Sequence, residues 1–126
     1  MNTYLEQNYK TCILIAVLIA IVIFTSSSLQ SLALASKVSF LSTLYHFSIF
    51  FFLAFFLSSG LNGKIKTKTI ILLAVLIAIL YGITDEIHQL FVPGRFCSLE
   101  DILVDSIGIL TANVFYLIIK RFDNKK

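Results

Sequence analysis

Residues 69–90 read TIILLAVLIAILYGITDEIHQL, an apolar run that ends in charged and polar side chains. The charge-free part, residues 69–84, forms about 24 Å of helix at about 1.5 Å per residue. The hydrocarbon core of a bilayer is about 30 Å thick. A helix that crosses the membrane here must therefore include the polar residues at its C-terminal end, which are Asp85, Glu86, His88 and Gln89.

The composition of the whole chain is that of a membrane protein. Of its 126 residues, 58% are hydrophobic and 13% are charged, and the mean hydropathy is +0.93. A soluble domain has about 25% charged residues, and a disordered chain needs low hydrophobicity, so both classes are excluded. The two cysteines, Cys12 and Cys97, form neither a zinc-binding spacing nor a CxxC motif.

Four apolar segments predict an all-α integral membrane protein, a four-helix bundle in one domain over residues 1–126. The expected spans are residues 11–30, 40–60, 69–91 and 101–120, approximately. The fourth segment, like the third, is too short without its polar end, and it takes in Asp105 and Asp101. A cleavable signal peptide is the alternative for the first segment, with Lys10 as its basic start.

The positions of the basic residues predict the orientation. In a four-span arrangement one side of the membrane carries only Lys37 and Arg95. The other side carries eight basic residues: Lys10, Lys64, Lys66, Lys68, Lys120, Arg121, Lys125 and Lys126. Because basic residues accumulate on the cytoplasmic side, both termini are expected in the cytoplasm. The basic run at residues 64–68 is then a topology signal, and nucleic acid is not an expected partner.

This orientation brings most of the remaining ionisable residues to the outer side of the membrane. Ionisable residues within a membrane avoid lipid and pair with one another, so they are candidates for function. Residues predicted to bind a cation or transfer protons are Asp85, His88, Asp101 and Asp105. Residues predicted to bind a ligand are His46, Glu86, Gln89 and Arg95. The alternative is that the helix-end carboxylates are simply solvated among the lipid headgroups.

The negative charges of this group outnumber the positive ones. Protonation, bridging through a histidine and a bound divalent cation are three ways to balance crowded carboxylates. Arg95 is the strong cation nearest to them, and its guanidinium is expected to pair with Asp101 or Asp85. Pro93-Gly94 predicts a type II turn before it, and Ser98 is the expected N-cap of the fourth helix.

Residues 81–108, YGITDEIHQLFVPGRFCSLEDILVDSIG, resemble the signature of the VanZ-like family of membrane proteins. In that family a DE-x-x-Q-x-F-x-P-x-R stretch precedes an Asp that opens the last helix, with an Asn or Asp four residues later. The matching positions are Asp85, Glu86, Gln89, Phe91, Pro93, Arg95, Asp101, Asp105 and Gly108. FTSSS at residues 24–28 and His46 agree more weakly, and Thr43 replaces a basic residue that is common in the family.

The resemblance implies a role at the bacterial cell surface in resistance to teicoplanin, a lipid-bearing glycopeptide. The implied ligand is a glycopeptide or a lipid-linked envelope molecule. Membrane lipids are the other expected partners. Two alternatives remain open from the residues themselves. One is a membrane-embedded, metal-assisted hydrolase or transferase acting on a lipid-linked envelope substrate, and the other is a small dimeric transporter. No nucleophilic Ser or Cys motif is visible, so a covalent mechanism is disfavoured.

Overall fold

The computed structural model describes residues 8–29, 40–61 and 65–123. Within these ranges the chain is all-helical, with no β-strand, and all four helices are long and apolar enough to cross a membrane. The helices are α1 Tyr9–Ser27, α2 Phe40–Gly60, α3 Thr67–Gln89 and α4 Leu99–Asp123. The predicted fold class is confirmed. As expected, α3 and α4 include the polar residues at their ends.

The four helices alternate in direction. The end of α1 is hydrogen-bonded to the end of α3 through Ser27 and Asp85, and the start of α2 contacts the start of α4 through His46 and Asp105. α2 contacts each of the other three helices and packs most extensively on α4. Among the described residues, α1 and α4 do not touch each other. α3 also contacts the other three helices, and the interface between α2 and α4 is the largest in the bundle.

Small side chains allow the helices to approach closely. Gly108 of α4 lies so near to α2 that a Cβ atom added to it would be 2.5 Å from the carbonyl oxygen of Phe47. In membranes, where lipid is as apolar as leucine, such close packing drives helix association. The buried alanines of the interior are Ala16, Ala54, Ala74, Ala78 and Ala112.

Large apolar side chains cover the outside of the bundle. Leu14, Leu72 and Leu110, from three different helices, are each more than half exposed. In water such a surface would be a large exposed hydrophobic patch, whereas in a bilayer it contacts acyl chains. The burial pattern is therefore consistent with lipid around all four helices.

A tight turn joins α3 to α4. Gly94 has φ of 82°, which favours glycine, and the amide of Arg95 donates to the carbonyl of Val92 over 3.0 Å. These are the features of a type II turn with Pro93 and Gly94 at its centre, as the sequence predicts. The turn places Arg95 and Ser98 beside the polar end of α3.

The basic residues lie at the opposite end of the bundle from this turn. In the described part of the chain, only Arg95 among the lysines and arginines lies at the turn end. Those at the opposite end are Lys10, Lys66, Lys68, Lys120 and Arg121. Lys37, Lys64, Lys125 and Lys126, which also entered the orientation count, lie outside the described residues. The predicted spans and the observed helices differ by at most three residues at each boundary.

Candidate functional site

Asp85 occupies a buried position between α1 and α3. Its Oδ1 accepts a hydrogen bond from Ser27 Oγ at 2.7 Å, and its Oδ2 accepts one from Gln89 Nε2 at 3.2 Å. All three residues are at most 6% exposed. Asp85 and Gln89 are one helical turn apart, so both side chains project from the same face of α3. The hydrogen bond between them agrees with this spacing.

Glu86 is only 1% exposed, less than Asp85 or Asp105. Its Oε2 accepts the backbone amide of Ser98 at 2.8 Å, and its Oε1 accepts Gln89 Nε2 at 3.3 Å. Ser98 in turn accepts the amide of Asp101 through its Oγ at 3.2 Å, which makes it the N-cap of α4 as expected. Glu86 thus connects α3 to the first turn of α4, and it is not a solvated surface residue.

His46 joins α2 to α4. Its Nδ1 lies 3.0 Å from Asp105 Oδ1, and its Nε2 lies 4.0 Å from Asp101 Oδ2. His46 and Asp105 are 6% and 3% exposed, while the Asp101 side chain is 28% exposed at the rim. An imidazole in hydrocarbon requires a polar partner, and Asp105 provides it. The structure therefore places His46 inside the bundle, beside the predicted carboxylates.

The expected pairing of Arg95 with Asp101 or Asp85 is wrong. Arg95 Nη2 donates to the main-chain carbonyl of Ser26 at 3.0 Å, and among the described residues no carboxylate lies within ion-pair distance of the guanidinium. Its buried Nε has no hydrogen-bond partner in the part of the chain that the structure describes. The reason is positional: the turn directs the side chain toward the last turn of α1, where the Ser26 carbonyl accepts a long backbone hydrogen bond, from the Leu29 amide at 3.3 Å, and can accept a second donor.

His88 lies apart from the other predicted residues. Its Nε2 is 3.0 Å from Ser28 Oγ, and its ring stacks on Phe24 with 4.7 Å between ring centroids. In the described chain, no hydrogen bond or ion pair joins His88 to a carboxylate. The structure therefore groups His88, like Arg95, with the end of α1. The other six predicted site residues are connected through α2, α3 and α4: His46, Asp85, Glu86, Gln89, Asp101 and Asp105.

Sequence reasoning missed several polar residues of the bundle. Ser27 is a direct partner of Asp85, and the only signal for it was the FTSSS element that ends the first apolar segment. The third and fourth apolar segments carry their ionisable residues at one end, which predicts that the opposite half of the bundle is apolar. In that half, Ser58 of α2 donates to Asn113 Oδ1 at 2.8 Å. That expectation is wrong at this contact. Buried Phe50, Ile109 and their apolar neighbours still lie between it and the site.

One side-chain group has the composition of a cation site. His46, Glu86 and Asp101 can each present one ligand atom, and these atoms all lie within 4.8 Å of one another. An imidazole nitrogen and carboxylate oxygens are ligands that divalent transition metals accept. The adjoining His46–Asp105 contact is also a short route for a proton between two buried groups.

An apolar groove of about 240 Å³ lies between α2 and α4, at the level of the His46–Asp105 contact. It opens on the outside of the bundle, where Phe40 is 82% exposed and Ile107 is 57% exposed. Its lining residues are Phe40, Thr43, Leu44, Phe47, Val104 and Ile107. A buried polar site therefore has an apolar groove beside it that faces the lipid.

The fold and the site together define a multi-pass membrane protein in which four spanning helices enclose a polar cluster at one end. We define the polar cluster as Ser27, His46, Asp85, Glu86, Gln89, Asp101 and Asp105. The family model described as VanZ/LLP1 matches residues 7–120, and the chain belongs to this family. No curated protein and no solved structure matches the chain.

Proposed function

We propose that this protein acts at the outer face of the bacterial cytoplasmic membrane, where the polar cluster binds the head group of a lipid-bearing envelope ligand. The ligand class comprises lipoglycopeptides such as teicoplanin and lipid-linked precursors of the envelope. Resistance to teicoplanin is the physiological role that membership of the VanZ/LLP1 family suggests for this chain.

The polar cluster is the observation that carries this proposal. All four helices contribute to it: Ser27 from α1, His46 from α2, Glu86 from α3 and Asp105 from α4 are each at most 6% exposed. Buried polar groups in a membrane protein reduce stability unless they are fully paired, and they are rare outside functional sites. A scaffold that only spans the membrane does not need several carboxylates gathered at one end.

The groove between α2 and α4 supports the proposal that the ligand carries an acyl chain. Its walls are almost entirely apolar and include Leu44, Phe47 and Val104. His46 precedes Phe47 and Asp105 follows Val104, so a ligand with its head group at the cluster can lay an acyl chain in the groove. Transfer of each CH₂ group from water to such apolar surroundings contributes about 0.8 kcal/mol, whereas an acyl chain that is already in the bilayer gains only packing contacts in the groove.

The distribution of basic residues supports the outward orientation. Lys66, Lys68 and Arg121 lie at the end opposite the polar cluster, with Arg95 the exception at the cluster end of the described chain. Under the positive-inside rule that opposite end faces the cytoplasm. The polar cluster then faces the cell surface, where glycopeptides and lipid-linked precursors are present.

Teicoplanin susceptibility of bacteria expressing the protein tests the proposal. Wild-type protein should protect against teicoplanin and not against a glycopeptide that lacks the acyl chain. Asp101→Asn should remove protection because it neutralises the carboxylate at the rim of the cluster. Glu100→Gln is the matched control, since Glu100 is the preceding residue and is exposed. Membrane abundance of each variant is measured in parallel. Full protection by Asp101→Asn at normal abundance would refute the proposed site.

A second candidate function is a metal-assisted hydrolase or transferase on a lipid-linked substrate. The grouping of one imidazole and two carboxylates in His46, Glu86 and Asp101 favours it. Incubating the purified protein in lipid nanodiscs with a radiolabelled lipid-linked pyrophosphate separates the two candidates. Released phosphate or a shortened lipid product would support an enzyme, and intact lipid bound to the protein would support the binding function alone.

A further inference from the structure

His46, Glu86 and Asp101 come from three different helices, yet each can place a ligand atom within 4.8 Å of the other two. We propose that these three side chains bind one divalent transition-metal ion, with Zn²⁺ as the best match, and that Asp105 is a positioning residue for His46. The cation site is part of the polar cluster, and its physiological meaning rests on the proposed function. Metal binding itself can be measured without any envelope ligand.

The hydrogen bonding of His46 is the first argument. Its Nδ1 is held by Asp105 Oδ1 at 3.0 Å, so its Nε2 is directed toward Asp101 Oδ2, 4.0 Å away. His46 is 6% exposed, and the contact that its Nε2 makes among the described residues is this 4.0 Å approach to Asp101, which is longer than a hydrogen bond. Metal-binding histidines almost always donate their second ring N–H to a carboxylate or carbonyl, which fixes the tautomer and the ring orientation. Asp105 performs this role here.

Glu86 is held in a similar way. Its two oxygens accept hydrogen bonds from the Ser98 amide at 2.8 Å and from Gln89 Nε2 at 3.3 Å. Each carboxylate oxygen has two lone pairs, so one lone pair on each remains for a metal ion. Ligating carboxylates in metal sites commonly have such outer hydrogen bonds. The carboxylate is therefore fixed in place and still able to coordinate.

The distances require only a small closure of the site. In a tetrahedral zinc site with ligands about 2.0–2.1 Å from the ion, neighbouring ligand atoms lie about 3.3 Å apart. The three ligand atoms here lie within 4.8 Å of one another. Asp101 can supply the movement because its side chain is 28% exposed at the rim. Three protein ligands leave the fourth position open for water or for a ligand oxygen, as in catalytic zinc sites.

The charge of the cluster is the independent second argument. Glu86, Asp101 and Asp105 bring three carboxylates around one imidazole. In the part of the chain that the structure describes, no lysine or arginine forms an ion pair with any of them, and Arg95 is bonded to a carbonyl instead. Uncompensated carboxylates are unfavourable in a medium of low dielectric constant. A bound divalent cation removes most of this imbalance.

The donor set favours Zn²⁺ over Mg²⁺. Mg²⁺ prefers oxygen ligands in octahedral geometry and keeps several waters, whereas Zn²⁺ readily accepts a mixed set of nitrogen and oxygen ligands in tetrahedral geometry. Mn²⁺ also accepts carboxylates, so it is included as a probe. The competing interpretation is an imidazolium paired with Asp101 and Asp105 without any metal, and it predicts no stoichiometric metal binding.

The test uses the full-length protein in lipid nanodiscs, free of any affinity tag and stripped with a chelator. The exposed thiol of Cys97 is removed in all samples by Cys97→Ser, because a thiol can bind zinc by itself. Equilibrium dialysis against Zn²⁺, Mn²⁺ or Mg²⁺, followed by elemental analysis, gives stoichiometry and affinity. We expect one Zn²⁺ per chain, at least tenfold tighter than Mg²⁺.

Single substitutions test which residues contribute to zinc binding. Asp101→Asn should weaken zinc binding at least tenfold, whereas the exposed neighbour in Glu100→Gln should leave it unchanged. Asp105→Asn should weaken it about 10-fold to 100-fold, the usual effect of losing an outer-shell partner. Asp105→Asn should also change the visible spectrum of the protein saturated with Co²⁺, and Asp105→Glu should restore most of the affinity.

Three results would overturn the cation site. They are wild-type binding below half an equivalent for every metal, equal zinc affinity in the wild type and Asp101→Asn, and an equal loss in Glu100→Gln. The outcomes are also separable from the proposed function. Zinc binding without protection against teicoplanin would refute only the proposed function, and protection without zinc binding would refute only the cation site.

Discussion

Gly108→Ala tests the close approach of α2 and α4 on which the polar cluster depends. The added Cβ would lie 2.5 Å from the carbonyl oxygen of Phe47, and ordinary van der Waals contact begins near 3.4 Å. The two helices would therefore have to separate by about 0.9 Å. A carbonyl of a helix cannot rotate away as a side chain can, so the change has to move backbone.

The expected loss for Gly108→Ala is about 1–3 kcal/mol of unfolding free energy, the usual effect of overpacking. Gly82→Ala is the matched comparison, because the atoms nearest to its added Cβ belong to side chains, the Phe50 ring at 3.2 Å and Asp105 Oδ2 at 3.5 Å, and not to backbone. Replacing glycine by alanine in a helix interior also raises the unfolding free energy by about 0.5–1 kcal/mol, and this stabilisation applies to both variants. Gly82→Ala should therefore stay within about 0.5 kcal/mol of the wild type.

The assay is denaturant unfolding in mixed micelles, followed by helical circular dichroism and by equilibrium zinc binding. Because Phe47 adjoins His46 and Gly108 lies one turn from Asp105, a separation of the helices should also weaken zinc binding by Gly108→Ala. Equal unfolding free energies for Gly108→Ala and Gly82→Ala would show that α2 and α4 do not approach as closely as described.

Three further changes probe other contacts of the cluster end. Ser27→Ala should lower the unfolding free energy by about 1–3 kcal/mol, because it leaves the buried Asp85 carboxylate without its closest donor; the same denaturation assay measures it. Arg95→Lys should lose only about 1 kcal/mol in that assay, since the guanidinium bonds to a main-chain carbonyl and not to a carboxylate. A membrane-impermeant thiol reagent on intact cells should modify exposed Cys97 and should spare a cysteine introduced by Lys66→Cys at the opposite end; the reverse pattern would invert the orientation.

The fold was predictable because lipid imposes simple limits on length and polarity. The 16 charge-free residues from Thr69 to Thr84 are too few to cross the hydrocarbon core, so α3 had to continue into the polar residues that follow, and it ends at Gln89. The same limit placed Asp101 and Asp105 inside α4. An imidazole among phenylalanines needs a polar partner, which predicts that His46 approaches the carboxylates of the third span. His46 does lie near Glu86 of α3, but its hydrogen bond is to Asp105 of α4.

The details of the cluster could not be predicted, because they depend on how the helices rotate against one another. Span length does not determine that α1 presents Ser27 to Asp85 or that its last carbonyls lie within reach of Arg95. Charge counting favoured a carboxylate partner for Arg95, but the direction of the Pro93-Gly94 turn decided otherwise. His88 shares one face with Asp85 by spacing alone, yet the position of α1 draws it to Phe24 and Ser28.

Direct binding of teicoplanin to the purified protein in lipid nanodiscs tests the proposed function most directly. Empty nanodiscs correct for partition of the acyl chain into lipid. The wild type should show saturable binding above this background, Asp101→Asn should weaken it at least tenfold, and Glu100→Gln should bind as the wild type does. Binding to the wild type no greater than to empty nanodiscs, or equal binding by the wild type and Asp101→Asn, would contradict a ligand site at the polar cluster.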